Sequence, residues 1–511
     1  MNVLLIFPAF ADTFWSFKHA LKIIGQKGLS PPLGLLTVAA MLPPEWPKRL
    51  VDMNVRKFTK EDLAWADCAF VSGMVVQKES ARHVIAQCKQ AGLKVVAGGP
   101  LFTSEYEQFE DVDHFVLNEA EITLPLFLAD LEQGSAKHIY MTSEFADLTK
   151  TPIPLWELVD LKDYLYTTIQ FSRGCPFDCE FCNVTALLGR RTRLKTTEQI
   201  IAELNDLYHN HGLREGIFLA DDNFIGNKRH LQVELLPALI EWQKDKGNIP
   251  FGVEASINMA DDEELMQMMY EAGFDIVFIG IETPSEDGLT ECNKVQNRNR
   301  DLIEDVKRIQ RAGMQVQGGF IIGFDSDTPS IFQRQIDFIQ KSGIPTAMVG
   351  LLQALPGTRL YERLLREGRL LGKPSGDNVG GTTNIVTKMD TETLYDGYKN
   401  TLKSLYSPKN YCQRVKTFLQ EYKTPKVKES LRLKDISIVF RSMYFLGFME
   451  KGRFQYWKLL AWTLFHRPNL FPLAITFAIG GYHFRKVCEL HVSGNTPSSN
   501  GSDTCIIEGK N

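Results

Sequence analysis

Cys175, Cys179 and Cys182 stand together in the segment Ser172-Arg173-Gly174-Cys175-Pro176-Phe177-Asp178-Cys179-Glu180-Phe181-Cys182-Asn183. Thiolates are the usual ligands of iron–sulfur clusters, and three at this spacing converge on one inorganic centre if the loop wraps around it. A [4Fe–4S] cube held by three cysteines keeps one iron open to a ligand from outside the protein. Zinc is the competing reading, but a structural zinc site wants four closed ligands. No fourth cysteine or histidine follows at such spacing; the next candidates are His209 and His211. The other cysteines (Cys68, Cys88, Cys292, Cys412, Cys488 and Cys505) are scattered singly and read as buried small hydrophobes.

Something must position that loop. From Thr168 to about Gly357 the chain alternates apolar runs with helical stretches. The candidate strands are Thr168–Ser172, Gly216–Ala220, Phe251–Ala255, Ile276–Ile281, Val316–Ile322 and Ala347–Leu352. Six parallel strands with helices outside predict a partial barrel, with chemistry at the carboxyl ends of its strands. The cysteines follow the first strand. Asp221-Asp222-Asn223 closes the second, Glu254 and Ser256 flank the third, and Gly280-Ile281-Glu282-Thr283 ends the fourth. Gly319 and Gly323 bracket the end of the fifth, and Gln353–Thr358 ends the sixth. Of the remaining cysteines, Cys292 alone lies where the barrel mouth could reach it.

Residues 1–140 carry the same rhythm with shorter pieces: Val3–Phe7, Arg49–Asn54, Ala69–Met74, Lys94–Ala97 and His114–Leu117, with helices such as Gly34–Leu42 and Lys78–Ala91 between them. This predicts a doubly wound α/β domain with a parallel sheet, whose ligand lies outside the carboxyl ends of the strands. Gly73, Gly98 and Gly99 fall there, where a residue without Cβ lets backbone approach a flat, bulky ligand. Residues 141–165 read as a connector rich in proline and turn signals. Residues 166–358 form the barrel, 359–492 a mainly helical domain, and 493–511 a Ser-, Asn- and Gly-rich tail expected to be disordered.

The Cys-x-x-x-Cys-x-x-Cys spacing after the first barrel strand, with Phe181 before the last cysteine, resembles the signature of the radical S-adenosylmethionine (SAM) superfamily. The resemblance implies that Cys175, Cys179 and Cys182 hold a [4Fe–4S] cluster and that SAM chelates the open iron. SAM contacts are then implied at Phe181, Asp221, Asp222, Ser256, Glu282 and Gly323, with Glu282 accepting from the ribose and Gly323 near the adenine. Residues 1–140 resemble the cobalamin-binding domain of the class B radical SAM methylases, through Pro31–Leu35, Val51-Asp52, Ser72-Gly73-Met74, Gly98-Gly99-Pro100 and Asn118–Glu121. Cobalamin contacts are implied at Gly34, Ser72, Gly73, Gly98, Gly99, Asn118 and Glu119. The Asp-x-His-x-x-Gly motif that supplies a histidine to cobalt is absent, so cobalamin is expected without that lower ligand. The family's usual Gly-Glu is Asn118-Glu119 here.

From residue 3 to about 485 the chain is similar to a narrower group that includes the hopanoid C-2 methylases, through PPLGLLTVAAMLP, ADCAFVSGM, GRRTRLKTTEQI, DDNFIGN, EWQK, FIGIETP and LLQALPGT. This implies methyl transfer, by way of methylcobalamin and a 5′-deoxyadenosyl radical, to an unactivated carbon of a hydrophobic small molecule such as a hopanoid. It also implies an electron donor such as flavodoxin or ferredoxin. The rival readings are a cobalamin-dependent radical SAM cyclase or oxidoreductase and a non-catalytic cobalamin- or cluster-binding sensor. A tRNA methylthiotransferase would usually add a basic RNA-binding domain, which the C-terminal region does not resemble.

Composition sets outer limits. The chain has 511 residues, 44% hydrophobic, with a net charge of −5, so nothing in its overall charge draws it to nucleic acid. Scattered single cysteines predict a reducing, cytoplasmic setting. No run reaches the ~20 apolar residues that span a bilayer. The segment Phe440–Phe484, rich in aromatic, aliphatic and basic residues, reads either as a helical cap on the barrel or as a face for peripheral membrane contact.

Overall fold

A computed structural model describes residues 1–213, 215–246, 249–377, 379–424 and 433–492; the tail expected at 493–511 lies outside them. The first sheet contains β1 (Val3–Phe7), β2 (Lys48–Asp52), β3 (Cys68–Ser72), β4 (Lys94–Gly98), β5 (His114–Val116) and β6 (Ile139–Tyr140), in the order β2-β1-β3-β4-β5-β6. Every pairing is parallel. Alternation along a strand sends side chains to opposite faces. Leu4 and Ile6 join one buried cluster with Val84, Ile85 and Phe102, whereas Val3 and Leu5 join another with Leu35, Leu124 and Phe127. Both faces are thus covered, as in a doubly wound domain. The chain leaves β1 toward β2 on one side and β3 on the other, and that divergence opens a crevice at the carboxyl edge. The two-residue strand β6 was not expected, because the apolar run Ile139-Tyr140-Met141 is too short to stand out; it exists by pairing Phe115 with Ile139 and Val116 with Tyr140.

The second sheet contains β7 (Thr167–Ile169), β10 (Ile217–Leu219), β11 (Phe251–Glu254), β12 (Phe274–Glu282), β13 (Gln315–Ile322) and β14 (Ala347–Leu351), in the order β14-β13-β12-β11-β10-β7. All are parallel and sequential neighbours, which is the partial barrel. The run Thr168–Ser172 departs from a single strand. It leaves the sheet after Ile169, and β8 (Ser172–Arg173) pairs antiparallel with β9 (Arg193–Leu194). The cysteine loop is therefore the tip of a small hairpin raised above the barrel.

Residues 359–492 are mainly helical, with long helices at Thr391–Leu405, Pro408–Glu421, Arg453–His466 and Phe471–Val492. Their core is continuous with the barrel's outer layer, through Phe338, Ile339, Leu402 and Phe418. Arg414 is fully buried there and donates to Gln340 Oε1 (2.7 Å) and the Leu405 carbonyl (2.9 Å). The segment after β1 crosses to this domain: Phe14 stacks on Phe484 at 4.2 Å, and the helix Lys18–Ile24 packs against Phe471–Val492. No described helix is long and apolar enough to cross a membrane.

Candidate active site

The cysteine loop is fixed from below and from both sides. Gly174 has φ +90°, and a Cβ on it would lie 2.7 Å from the Arg191 carbonyl oxygen, so the chain can turn there only without a side chain. Its N–H donates to Asp222 Oδ2 at 2.7 Å. Asp221, buried at the end of β10, accepts from the Phe171 N–H (2.8 Å) and the Ser172 hydroxyl (2.6 Å). These bonds lift the chain out of the barrel just before the cysteines. On the far side, Arg363 pairs with Glu180 (2.7 Å), Asn293 donates to the Asp178 carbonyl (2.9 Å), and the Glu180 N–H donates to the Cys292 carbonyl (2.9 Å). Cys292 itself is buried behind the loop in a cluster with Phe324 and Leu352, against which Phe181 also packs.

Burial pushes the Cys175 thiol up, and the Cys182 thiol up to about 12. Beside them the buried Lys294 ammonium faces Cys179 and Cys182 and pairs with Glu282 at 2.6 Å. Burial resists thiolate formation while the lysine favours it. A bound metal shifts that balance further, since ligation displaces the thiol proton. Among the described residues, no three His, Cys, Asp or Glu side chains close around the position of a single ion. A cube, whose cysteines attach to separate irons, does not require them to.

Around the barrel mouth the structure sorts the acidic candidates. Asp221 spends both oxygens on the loop. Asp222 and Glu254 stay at the rim, and burial with the neighbouring Asp222 and Asp221 pushes Glu254 up to about 7. Glu254 has no hydrogen-bond or ion-pair partner among the described residues, and a buried carboxylate so placed suits a cationic ligand; SAM carries an ammonium and a sulfonium. Ser256 is tied to Asn223 Oδ1 through its N–H (3.1 Å) and its hydroxyl (3.2 Å). Glu282 sits at a β-bulge with φ +66°, unusual for a residue with a side chain, and its carboxylate is turned to Lys294. The Gly323 N–H, past β13, is held by Asp327 Oδ2 at 2.9 Å.

At the carboxyl edge of the first sheet lie two adjoining cavities, of about 600 and about 310 Å³. Gly34 and Ser72 line both; Gly73 lines the larger, and Gly98, Gly99, Asn118 and Glu119 line the smaller. Asn118 takes φ +62°, the left-handed conformation that asparagine tolerates, so it keeps the turn that a glycine would make. The larger cavity is walled mainly by apolar groups, among them Phe7, Phe10, Phe14 and Trp15, and reaches Thr168 and Ala220 of the barrel. Trp15 enters the barrel itself: its indole N–H points at Met348 Sδ (2.9 Å) and its ring meets Phe278 edge-on.

Glu119 does more than line a cavity. Its buried carboxylate accepts from Arg173 (3.2 Å) and Arg193 (2.8 Å), and Glu121 pairs with Arg173 at 2.8 Å. Arg173 and Arg193 are the paired residues of the β8–β9 hairpin. The first domain therefore grips the hairpin that carries the cysteines. Neither this clamp nor Lys294 carries a recognisable local sequence signature. The only signal was the arginines on either side of the cysteine segment, whose partners are 52 to 74 residues away.

A partial barrel with three cysteines raised past its first strand is the architecture of a radical SAM domain, and residues 169–339 match the model of the Radical SAM superfamily. Residues 358–496 match a domain of unknown function, DUF4070. An uncharacterized methyltransferase of Synechocystis sp. is 40% identical over 498 residues, covering 96% of this chain and 92% of that protein. The hopanoid C-2 methylase of Rhodopseudomonas palustris is 36% identical over 419 residues, covering 81% and 78%. Among solved structures, the cobalamin-dependent S-adenosylmethionine radical enzyme OxsB with aqua-cobalamin bound superposes with a TM-score of 0.60 at 16% identity, covering 96% of this chain and 81% of that one, a likeness of fold. The chain belongs to the radical SAM methyltransferase family of enzymes.

Proposed function

We propose that the enzyme methylates an unactivated carbon of a polycyclic lipid of the hopanoid class, with cobalamin at the first sheet and SAM at the barrel mouth. The observation that carries this reading is the larger cavity, which joins the edge of the first sheet to the barrel and is walled mainly by apolar groups. When bound, the [4Fe–4S] cluster supplies the electron that cleaves SAM, and cobalamin supplies the methyl carrier. Cys175, Cys179 and Cys182 would hold the cluster, with Lys294 beside two of them offsetting their negative charge. Asp222 and Glu254 would receive the cationic groups of SAM. Phe10, Phe14 and Trp15 would exclude water from the substrate and hold it by contact area rather than by hydrogen bonds. No described residue lining either cavity is a histidine, which supports cobalamin bound without a histidine lower ligand. Reduction would draw on an outside donor of the flavodoxin or ferredoxin kind.

The test is a lipid profile. The chain is expressed with cobalamin in a hopanoid-making bacterium that lacks its own hopanoid methylases. Hopanoids heavier by one methylene unit, lost in Cys175→Ala, are the expected result. Unchanged hopanoids, with the protein folded and both cofactors bound, would assign the substrate to another class.

A further inference from the structure

The helix Leu433–Ser442 continues through a wider turn at Met443–Met449. Along it Ile436, Phe440, Tyr444 and Phe448 recur every fourth residue and are all exposed, Phe440 at 67% and Phe448 at 64%. The helix Arg453–His466 adds a second stripe: Phe454, Trp457, Leu464 and Phe465, the last 81% exposed. The stripes meet where Trp457 lies against Phe448 (6.1 Å between ring centroids) and donates to the Gly447 carbonyl at 3.0 Å. Opposite faces are buried through Leu446, Tyr456, Leu459 and Leu460. The exposed aromatics thus sit on a packed base, as two apolar stripes joined at Trp457 and Phe448, a surface of a kind that a free soluble protein rarely shows.

Its rim is cationic. Lys451, Arg453 and Lys458 are exposed, and among the described residues none has a carboxylate partner. The one acidic side chain between residues 436 and 467, Glu450, is neutralised by Arg485 (2.7 Å) and Lys486 (3.3 Å). A second copy of the chain would bring these cations against their own kind across a two-fold axis. An anionic bilayer meets both halves of the pattern, with aromatic rings at the acyl boundary and ammonium and guanidinium groups among the headgroups.

We propose that this face docks the enzyme on the surface of an anionic membrane without crossing it. The same element touches a helix that lines the larger cavity. Arg441 donates to the Ile23 carbonyl (3.4 Å) at the end of the helix Lys18–Ile24, and Lys18 and Leu21 of that helix line the cavity. If the hopanoid reading holds, docking sets the cavity wall beside the lipid source; the docking itself does not depend on that reading.

Co-sedimentation of the purified full-length protein with phosphatidylcholine vesicles, with and without phosphatidylglycerol, tests the proposal. Wild type is expected to pellet with the anionic vesicles and to be released by high salt. Phe448→Ser/Phe454→Ser/Phe465→Ser is expected to lower the bound fraction about tenfold or more. Lys451→Gln/Arg453→Gln/Lys458→Gln is expected to remove the preference for phosphatidylglycerol. These are surface changes, so melting temperature and SAM cleavage in solution should match wild type in both variants. Wild type remaining in the supernatant with both vesicles would overturn the proposal. So would light scattering that shows a dimer which the serine variant converts to monomer. Neither readout involves methyl transfer, so a wrong substrate assignment would leave the vesicle result standing.

Discussion

The molecule contains two six-stranded parallel sheets whose carboxyl edges do opposite work. In the first sheet the strand order reverses around β1, and the edge is a crevice of glycines and apolar groups, open to a broad ligand. In the second the strands follow one another in order, and the edge carries charge: Asp221, Asp222 and Glu254, then Glu282 against Lys294 beside the cysteines. Parallel topology determines where a ligand can sit in both cases. The residues at the strand ends determine which ligand it is. The two edges are locked together by Glu119 and Glu121 of the first domain on Arg173 and Arg193 of the cysteine hairpin.

The sharpest way to break this comparison is to disarm one edge at a time. Cys175→Ala is expected to abolish the cluster's visible absorbance and to reduce SAM cleavage to background, while cobalamin still binds. SAM cleavage at the wild-type rate would refute the assignment of the charged edge. Gly34→Leu addresses the other edge. Gly34 lines both cavities, and a Cβ there meets nothing within 4 Å, so an added side chain starts in open space beside the ligand site. Cobalamin occupancy should fall about tenfold or more with the cluster and melting temperature unchanged.

The lock between the edges is the next target. Glu119→Ala leaves two largely buried arginines short of their carboxylate, a defect that costs about 3 kcal/mol, measurable as a lower midpoint in denaturant unfolding. An unchanged midpoint would mean that Glu119 adds nothing to the lock, which would then rest on Glu121 and apolar packing.

A smaller effect concerns Glu254. Its carboxyl is held at about 7 against an ordinary 4.5, so above pH 4.5 the folded chain keeps a proton that the unfolded chain has lost. Its contribution to stability is full below pH 4.5 and is lost as pH rises to about 7. Glu254→Gln should therefore stabilise the ligand-free chain by up to about 3 kcal/mol above pH 7 and have no effect below pH 4.5. With Glu254 facing the SAM cation as proposed, SAM binding should weaken in wild type as pH falls through about 7 and lose that dependence in the variant. A pH-independent wild-type affinity would place Glu254 away from the cation.

The strands were legible because each is a local apolar run: Val3–Phe7 is identical in sequence pattern and structure, and the remaining expected strands of the first sheet agree to within two residues. The cysteine loop was legible because its ligands are close in the chain. What escaped depends on distant partners. β6 is only two residues long and forms by pairing on β5. Asp221, at a strand end like its neighbours, turns inward because the Phe171 N–H and the Ser172 hydroxyl donate to it. Arg173 and Arg193 look like ordinary surface cations until the first domain arrives with Glu119. Local pattern places an edge, but only the assembled fold shows which of its charges are spent on structure and which remain for a ligand.

The most direct test of the central claim is to follow the methyl group. The purified enzyme, reconstituted with its cluster and cobalamin, is supplied with a reductant, hopanoid and SAM labelled in its methyl group. The account predicts a hopanoid product heavier by one labelled methyl unit, formed together with 5′-deoxyadenosine. 5′-Deoxyadenosine formed with a product that lacks the label would contradict methyl transfer and assign the same two edges to a different radical reaction.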